Sequence, residues 1–153
     1  MKKLLLAVLL SIGASASFAA DQKPPLPPQA CAIHVPYGAP QVARPYSTLI
    51  CRTGYFLQHD AALKIPVWVA WSLTPEHVNG CVERSNAFQP DQSLPKGGRA
   101  EMADYAGSGY DIGHVAPNGD QGWDPQVERE SFYLSNMMPQ LPGLNRGMWK
   151  LLE

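Results

Sequence analysis

An α+β fold is predicted by three features of this sequence. Two strand-like apolar runs lie near the middle of the chain, helix-start signals follow them, and strand and helix mix without regular alternation. Tyr55-Phe56-Leu57 reads as a first strand. Residues 66–73 (Pro-Val-Trp-Val-Ala-Trp-Ser-Leu) read as a second, rich in β-branched and aromatic side chains; the nearly unbroken hydrophobicity predicts burial on both faces. Thr74 then caps a helical turn with Pro75 at its first position. Residues 84–99 are polar and loop-like, with Asn86-Ala87-Phe88 as a short edge strand. The glycines of 105–109 predict a turn, and 110–116 a tight bend at Gly113. A helix over 125–133 starts at an Asp124 cap followed by Pro125. A last helix runs over 145–152, where Met148, Trp149 and Leu152 recur at the spacing of a buried stripe. No internal repeat is present.

The N-terminus has the pattern of a secretory signal over residues 1–19. Lys2 and Lys3 precede the apolar run 4–12, and Ser17-Phe18-Ala19 offers small residues where a signal peptidase reads. That run is shorter than the roughly 20 residues a bilayer requires. Export to the periplasm or the medium is therefore expected. Without the signal, Lys and Arg fall from 12 to 10 against 13 acids, so the remainder is mildly acidic and lacks the strong positive balance of a tight nucleic-acid binder. A local basic groove is compatible with that balance. Residues 20–49 are proline-rich and read as an extended leader along the surface. Residues 50–153 form the one domain. Cys31, Cys51 and Cys81 are all disulfide candidates in an exported chain, and an odd number leaves one thiol over.

His114 is the one histidine in a dense polar setting. A neutral imidazole can take a proton near neutral pH, which suits activation of water for attack on a phosphodiester. Asn145, at a helix start, offers the hard oxygen that magnesium prefers. Glu153 lies eight positions on, about 80° around an ideal helix, so the two side chains can line one groove. Asn136 can steady the site from a preceding loop. Each residue also has an ordinary role open to it: core histidine, helix cap or solvated acid.

The blocks Tyr110-Asp111-Ile112-Gly113-His114-Val115-Ala116-Pro117, Tyr133-Leu134-Ser135-Asn136, Pro139-Gln140 and Leu144-Asn145-Arg146-Gly147-Met148-Trp149-Lys150-Leu151-Leu152-Glu153 together resemble the DNA/RNA non-specific endonuclease family, and Trp68 to Thr74 resembles the strand ahead of its motif. The resemblance covers residues 50–153. It implies the ββα-metal (His-Me finger) fold, with a central antiparallel sheet and helices. It also implies a magnesium-dependent endonuclease, manganese being the alternative ion, that cuts DNA and RNA without strong sequence preference and leaves 5′-phosphates. By position, His114 matches the general base and Asn145 the residue that holds a mostly water-coordinated magnesium. Asn136 matches a supporting amide, and Glu153 the acid that positions metal-bound water.

Two departures stand out. The family motif usually reads Asp-Arg-Gly-His, and Ile112 replaces the arginine. Arg146, Arg129 and Arg99 are the candidate substitutes for binding phosphate. Family domains also continue beyond the Leu-Glu found here, so a missing C-terminal part and exposed apolar surface are expected. The competing functions are an inactive or truncated homologue that binds nucleic acid weakly, and a phosphodiesterase for another substrate.

Overall fold

The computed structural model describes residues 27–44 and 47–152; the signal segment and Glu153 lie outside them. Among the described residues, five strands form two antiparallel sheets. The first has the order β1-β2-β3, from β1 (Ser47–Cys51), β2 (Phe56–Asp60) and β3 (Ile65–Ala70). The second pairs β4 (Asp111–His114) with β5 (Met137–Gln140). The expected single central sheet is thus divided in two, with β5 lying close to β3. Short helices join them: α1 (Pro75–Val78), α2 (Met102–Tyr105), α3 (Pro125–Ser131) and α4 (Lys150–Leu152). The α+β class is as expected. None of the described helices is long and apolar enough to cross a membrane.

Several elements differ from the sequence reading for physical reasons. The strand buried on both faces is β2, not β3, because a core cluster packs against each face of this central strand. Its alternating side chains feed two cores. Leu57 joins Ile50, Tyr55, Leu94 and Ala116, while Phe56 joins Cys31 and Val35. β3 is an edge strand, only partly covered, and stops at Ala70. β1 begins inside what reads as the leader. The proline-rich segment is not simply extended either. Residues Gln29–His34 form a 3-10 helix, and Cys31, His34 and Val35 are buried.

Asn86-Ala87-Phe88 forms no strand, since Asn86 takes a left-handed φ of 54°; a single parallel bridge, Gln89 to Tyr133, replaces it. The unforeseen α2 is stabilised by a capping box between Glu101 and Asp104. Gly107 and Gly109 then turn the chain with φ of 70° and 81°. Asp124 caps α3 as expected, its Oδ1 accepting from the backbone N–H groups of Gln126 and Val127 at 2.7 and 3.1 Å.

The C-terminal helix departs most from expectation. Residues Leu144–Trp149 form a wide π-type turn, broken at Gly147 (φ −105°, ψ −108°) before α4. The ideal helix assumed from Asn145 onward is interrupted at Gly147, and Glu153 lies outside the described residues. The apolar stripe is not core: Met148 and Leu152 are exposed, along with Leu141, Leu144 and Leu151.

Cys31 pairs with Cys51, and Cys81 is a free, exposed thiol. The bond ties the 3-10 helix to β1 across a sequence separation of 20. Closing a loop of that size stabilises a fold by about 3 kcal/mol. Cys31→Ala should therefore unfold at lower temperature than the parent chain, and dithiothreitol should lower the parent's melting temperature while leaving the variant's unchanged.

Candidate active site

His114 ends β4, and four separate contacts fix it there. Its carbonyl accepts from the Gln140 side-chain amide and from the Trp149 indole, both at 3.2 Å. The ring lies edge-on to Phe132, with centroids 5.0 Å apart, and 5.6 Å from Phe88. Gly113 is needed not for a bend but for close approach. It sits within the strand, and a Cβ there would meet Gln140 Nε2 at 2.6 Å. A side chain at 113 would push away the amide that holds the His114 carbonyl.

The segment leaving β4 is held by Asn136, which is fully buried. Asn136 Oδ1 accepts from the Ala116 N–H at 2.9 Å, and Nδ2 donates to the carbonyls of Ala116 (2.9 Å) and Ser131 (3.0 Å). All its polar atoms are engaged with backbone, so it positions the site and does not face the cleft. Asn136→Ala would orphan three buried backbone groups. The expected cost is about 3 kcal/mol, read as a fall in the urea midpoint, with Asn136→Asp only partly restoring it.

Burial pulls the His114 pKa down to about 3, and the charge of Arg84 acts in the same direction. The imidazole is therefore neutral at physiological pH. Its Nε2 is buried without a hydrogen-bond partner. An anionic phosphate nearby would act opposite to Arg84 and raise the basicity.

His114 lines a cleft of about 490 Å³ together with Arg84, Ile112, Asn145, Arg146 and Lys150. Asp111 organises its rim. Its carboxylate accepts from Asn145 Nδ2 at 3.0 Å and from two nitrogens of Arg146 at 2.8 and 2.6 Å. Arg146 first, then Asn145, hold the Asp111 carboxyl below its ordinary range. With Nδ2 engaged by Asp111, the Asn145 amide oxygen is the free end. No group of three or more His, Cys, Asp or Glu is placed to hold a metal among the described residues. One hard amide oxygen in a polar cleft fits an ion that keeps most of its waters, which is magnesium's habit.

The structure thus brings His114, Asn145 and Arg146 together and leaves two expected cations out. Arg99 is committed to Glu101, Gln92 and the Leu94 carbonyl, at 2.9, 2.7 and 3.3 Å. Arg129 projects from α3 and does not line the cleft. Arg84, Lys150, Phe88 and Phe132 went unrecognised in the sequence. Lys150 stands four residues after Arg146, a spacing that signals a shared helix face. Arg84 carries no such local signal, because only the tertiary fold brings its loop to β4.

The family model for DNA/RNA non-specific endonuclease matches residues 37–153. A nuclease from Nostoc sp. is 36% identical, the alignment covering 99% of this chain and 58% of that protein. Mitochondrial endonuclease G of Bos taurus is 40% identical over 76% of this chain and 38% of its own. A solved chain from the EndoG/EndoGI inhibitory complex superposes with a TM-score of 0.73 at 36% identity, covering 82% of this chain and 51% of that one. The chain spans roughly half the length of these relatives or less. The match begins at residue 37, within the proline-rich segment, just ahead of Ala39, which packs against the core of Cys31, Val35 and Phe56.

Proposed function

The chain belongs to the DNA/RNA non-specific endonuclease family, with its ββα-metal α+β fold, and from that premise we propose that it takes part in hydrolysis of DNA and RNA phosphodiester bonds with a divalent ion. The observation that carries this reading is the cleft itself, in which a neutral, rigidly held imidazole shares a wall with an amide oxygen and three cations.

Water adds to phosphorus as the bond to the 3′-oxygen breaks, leaving a 5′-phosphate. An imidazole nitrogen of His114 takes the proton of that water. The fixed carbonyl and aromatic walls keep the ring in one orientation, so little reorganisation is required. Asn145, oriented by Asp111, offers its oxygen to the ion. When bound, magnesium supplies positive charge beside the phosphorus. Arg84, Arg146 and Lys150 attract the polyanion and hold its phosphates. Glu153 is proposed as the acid that orients water beyond Asn145. Export to the periplasm or medium rests on the N-terminal pattern of residues 1–19.

The chain should degrade plasmid DNA and ribosomal RNA with magnesium, less well or not at all with chelator, and with manganese as a partial replacement. A full-length nuclease of the same family serves as the comparison. Failure of this chain to cut either polymer with any divalent ion, under conditions in which that relative cuts, would overturn the reading.

A further inference from the structure

The cleft wall beside His114 carries no charge of its own. Ile112 forms it, and also packs against the core around Ala100, Tyr105, Leu134 and Met137. Positive charge must therefore come from elsewhere. Arg84 is partly committed. Its Nε donates to Asn86 at 2.7 Å, and its guanidinium lies 5.0 Å over the Phe132 ring. Arg146 is placed differently. Two of its nitrogens grip Asp111, the residue beside Ile112, in a bidentate pair. That fork fixes the guanidinium at the start of the motif strand. A guanidinium has five N–H donors, so three stay unused, and the side chain is 72% exposed. The result is a planar cation, oriented at its back by Asp111 and open at its front.

We infer that Arg146 is the phosphate-binding guanidinium of this site and supplies, from the C-terminal segment, the charge that Ile112 withholds at the motif strand. The inference rests on reading the cleft as a phosphodiester site. Bidentate contact to phosphate requires an orientation that a lysine ammonium does not have. The Asp111 pair would supply that orientation before substrate arrives. An exposed ion pair alone is worth little to the fold, so Arg146 should matter far more to binding than to stability.

The test is binding of a fluorescein-labelled DNA duplex to the full chain in chelator, followed by anisotropy across a salt series. Chelation stops cleavage and removes any effect on the ion near Asn145. Arg146→Gln should weaken binding about tenfold and reduce the slope of log affinity against log salt by about one. Arg146→Lys should restore the slope but only part of the affinity. Ile112→Arg should rescue Arg146→Gln more than it strengthens the parent chain, since one guanidinium replaces the other. Unchanged affinity and slope in Arg146→Gln would overturn the inference, as would an equal gain from Ile112→Arg in both backgrounds. If Ile112→Arg disturbs the packed core, the glutamine and lysine variants still decide the matter. No binding by the parent chain would remove the nuclease reading and this inference together, whereas binding that ignores residue 146 removes only the latter.

Discussion

His114→Ala should lower cleavage of DNA and RNA by about a thousandfold or more, in whatever form of the domain proves active. A positioned general base contributes roughly 10²–10⁴ in rate, and the loss falls at the upper end where nothing nearby can replace the base. Among the described residues, those sharing the cleft are cations, an amide and an isoleucine, and none of them is a general base. The ring also fills space between Phe88 and Phe132, so its removal has a packing cost that must be separated from chemistry. The backbone contacts from Gln140 and Trp149 end on the carbonyl and not on the ring, and they remain in the variant. Circular dichroism and DNA affinity in chelator should therefore stay close to the parent's while turnover collapses. Turnover within tenfold of the parent's would remove His114 from the reaction.

Asp91→Ala should be the most destabilising single substitution named here. Asp91 is 1% exposed. Its carboxylate accepts from Arg52 at 2.7 and 2.8 Å, from the Ser93 hydroxyl at 2.7 Å and N–H at 3.0 Å, and from Ser135 at 2.7 Å. Arg52 in turn lies 5.0 Å over the Tyr133 ring. The network links the β1–β2 turn to the segment before β5. Removing the acid leaves the largely buried Arg52 guanidinium with Ser93 Oγ, at 2.9 Å, in place of a carboxylate and takes the acceptor from the buried Ser135 hydroxyl, at a cost of about 3–5 kcal/mol. Asp91→Asn keeps the shape without the charge and should cost less. Burial pushes the Asp91 carboxyl up, but hydrogen bonds from Ser135 and Ser93 and the charge of Arg52 outweigh it and hold it below the ordinary carboxylate value. Folded Asp91 thus gives up its proton more readily than unfolded Asp91. Its stabilising contribution is complete above the unfolded pKa, near 4, and is lost as pH falls through the lower folded value. Urea midpoints at pH 7 and at pH 3 should differ less in Asp91→Ala than in the parent. An equal pH dependence would show that Asp91 is not the group responsible.

Much of the site can be read in the sequence because its principal members sit in two short blocks. His114 lies in one, Asn145 and Arg146 in the other, and the structure sets them around one cleft. Asn136 is different. Its residue type suggested support for the site, but the form of that support, three backbone contacts around Ala116 and Ser131, depends on tertiary approach. Arg84 was hidden for the same reason. The strands were recognised by their apolar runs but ranked wrongly for burial. Hydrophobicity alone does not reveal that β2, with its Gln58, His59 and Asp60, is central: Gln58 spends its amide on Val42, Ser47 and Trp68, and the other two find partners of their own. Periodicity also misleads at 148–152, where the regular stripe follows a glycine that breaks the helix and is left largely exposed.

The clasp on the His114 carbonyl has a consequence for synthesis. Both donors, Gln140 and Trp149, come from later in the chain, as does β5, the partner of β4. A ribosome releases the histidine well before the groups that hold it in place. A nascent segment ending near Tyr133 contains His114, the proposed base, but not its mount, and so cannot present the proposed centre to the messenger and ribosomal RNA around it. Competence in the proposed reaction would arrive only after Trp149 had been added and folded back, a timing that would protect the cell making such a protein.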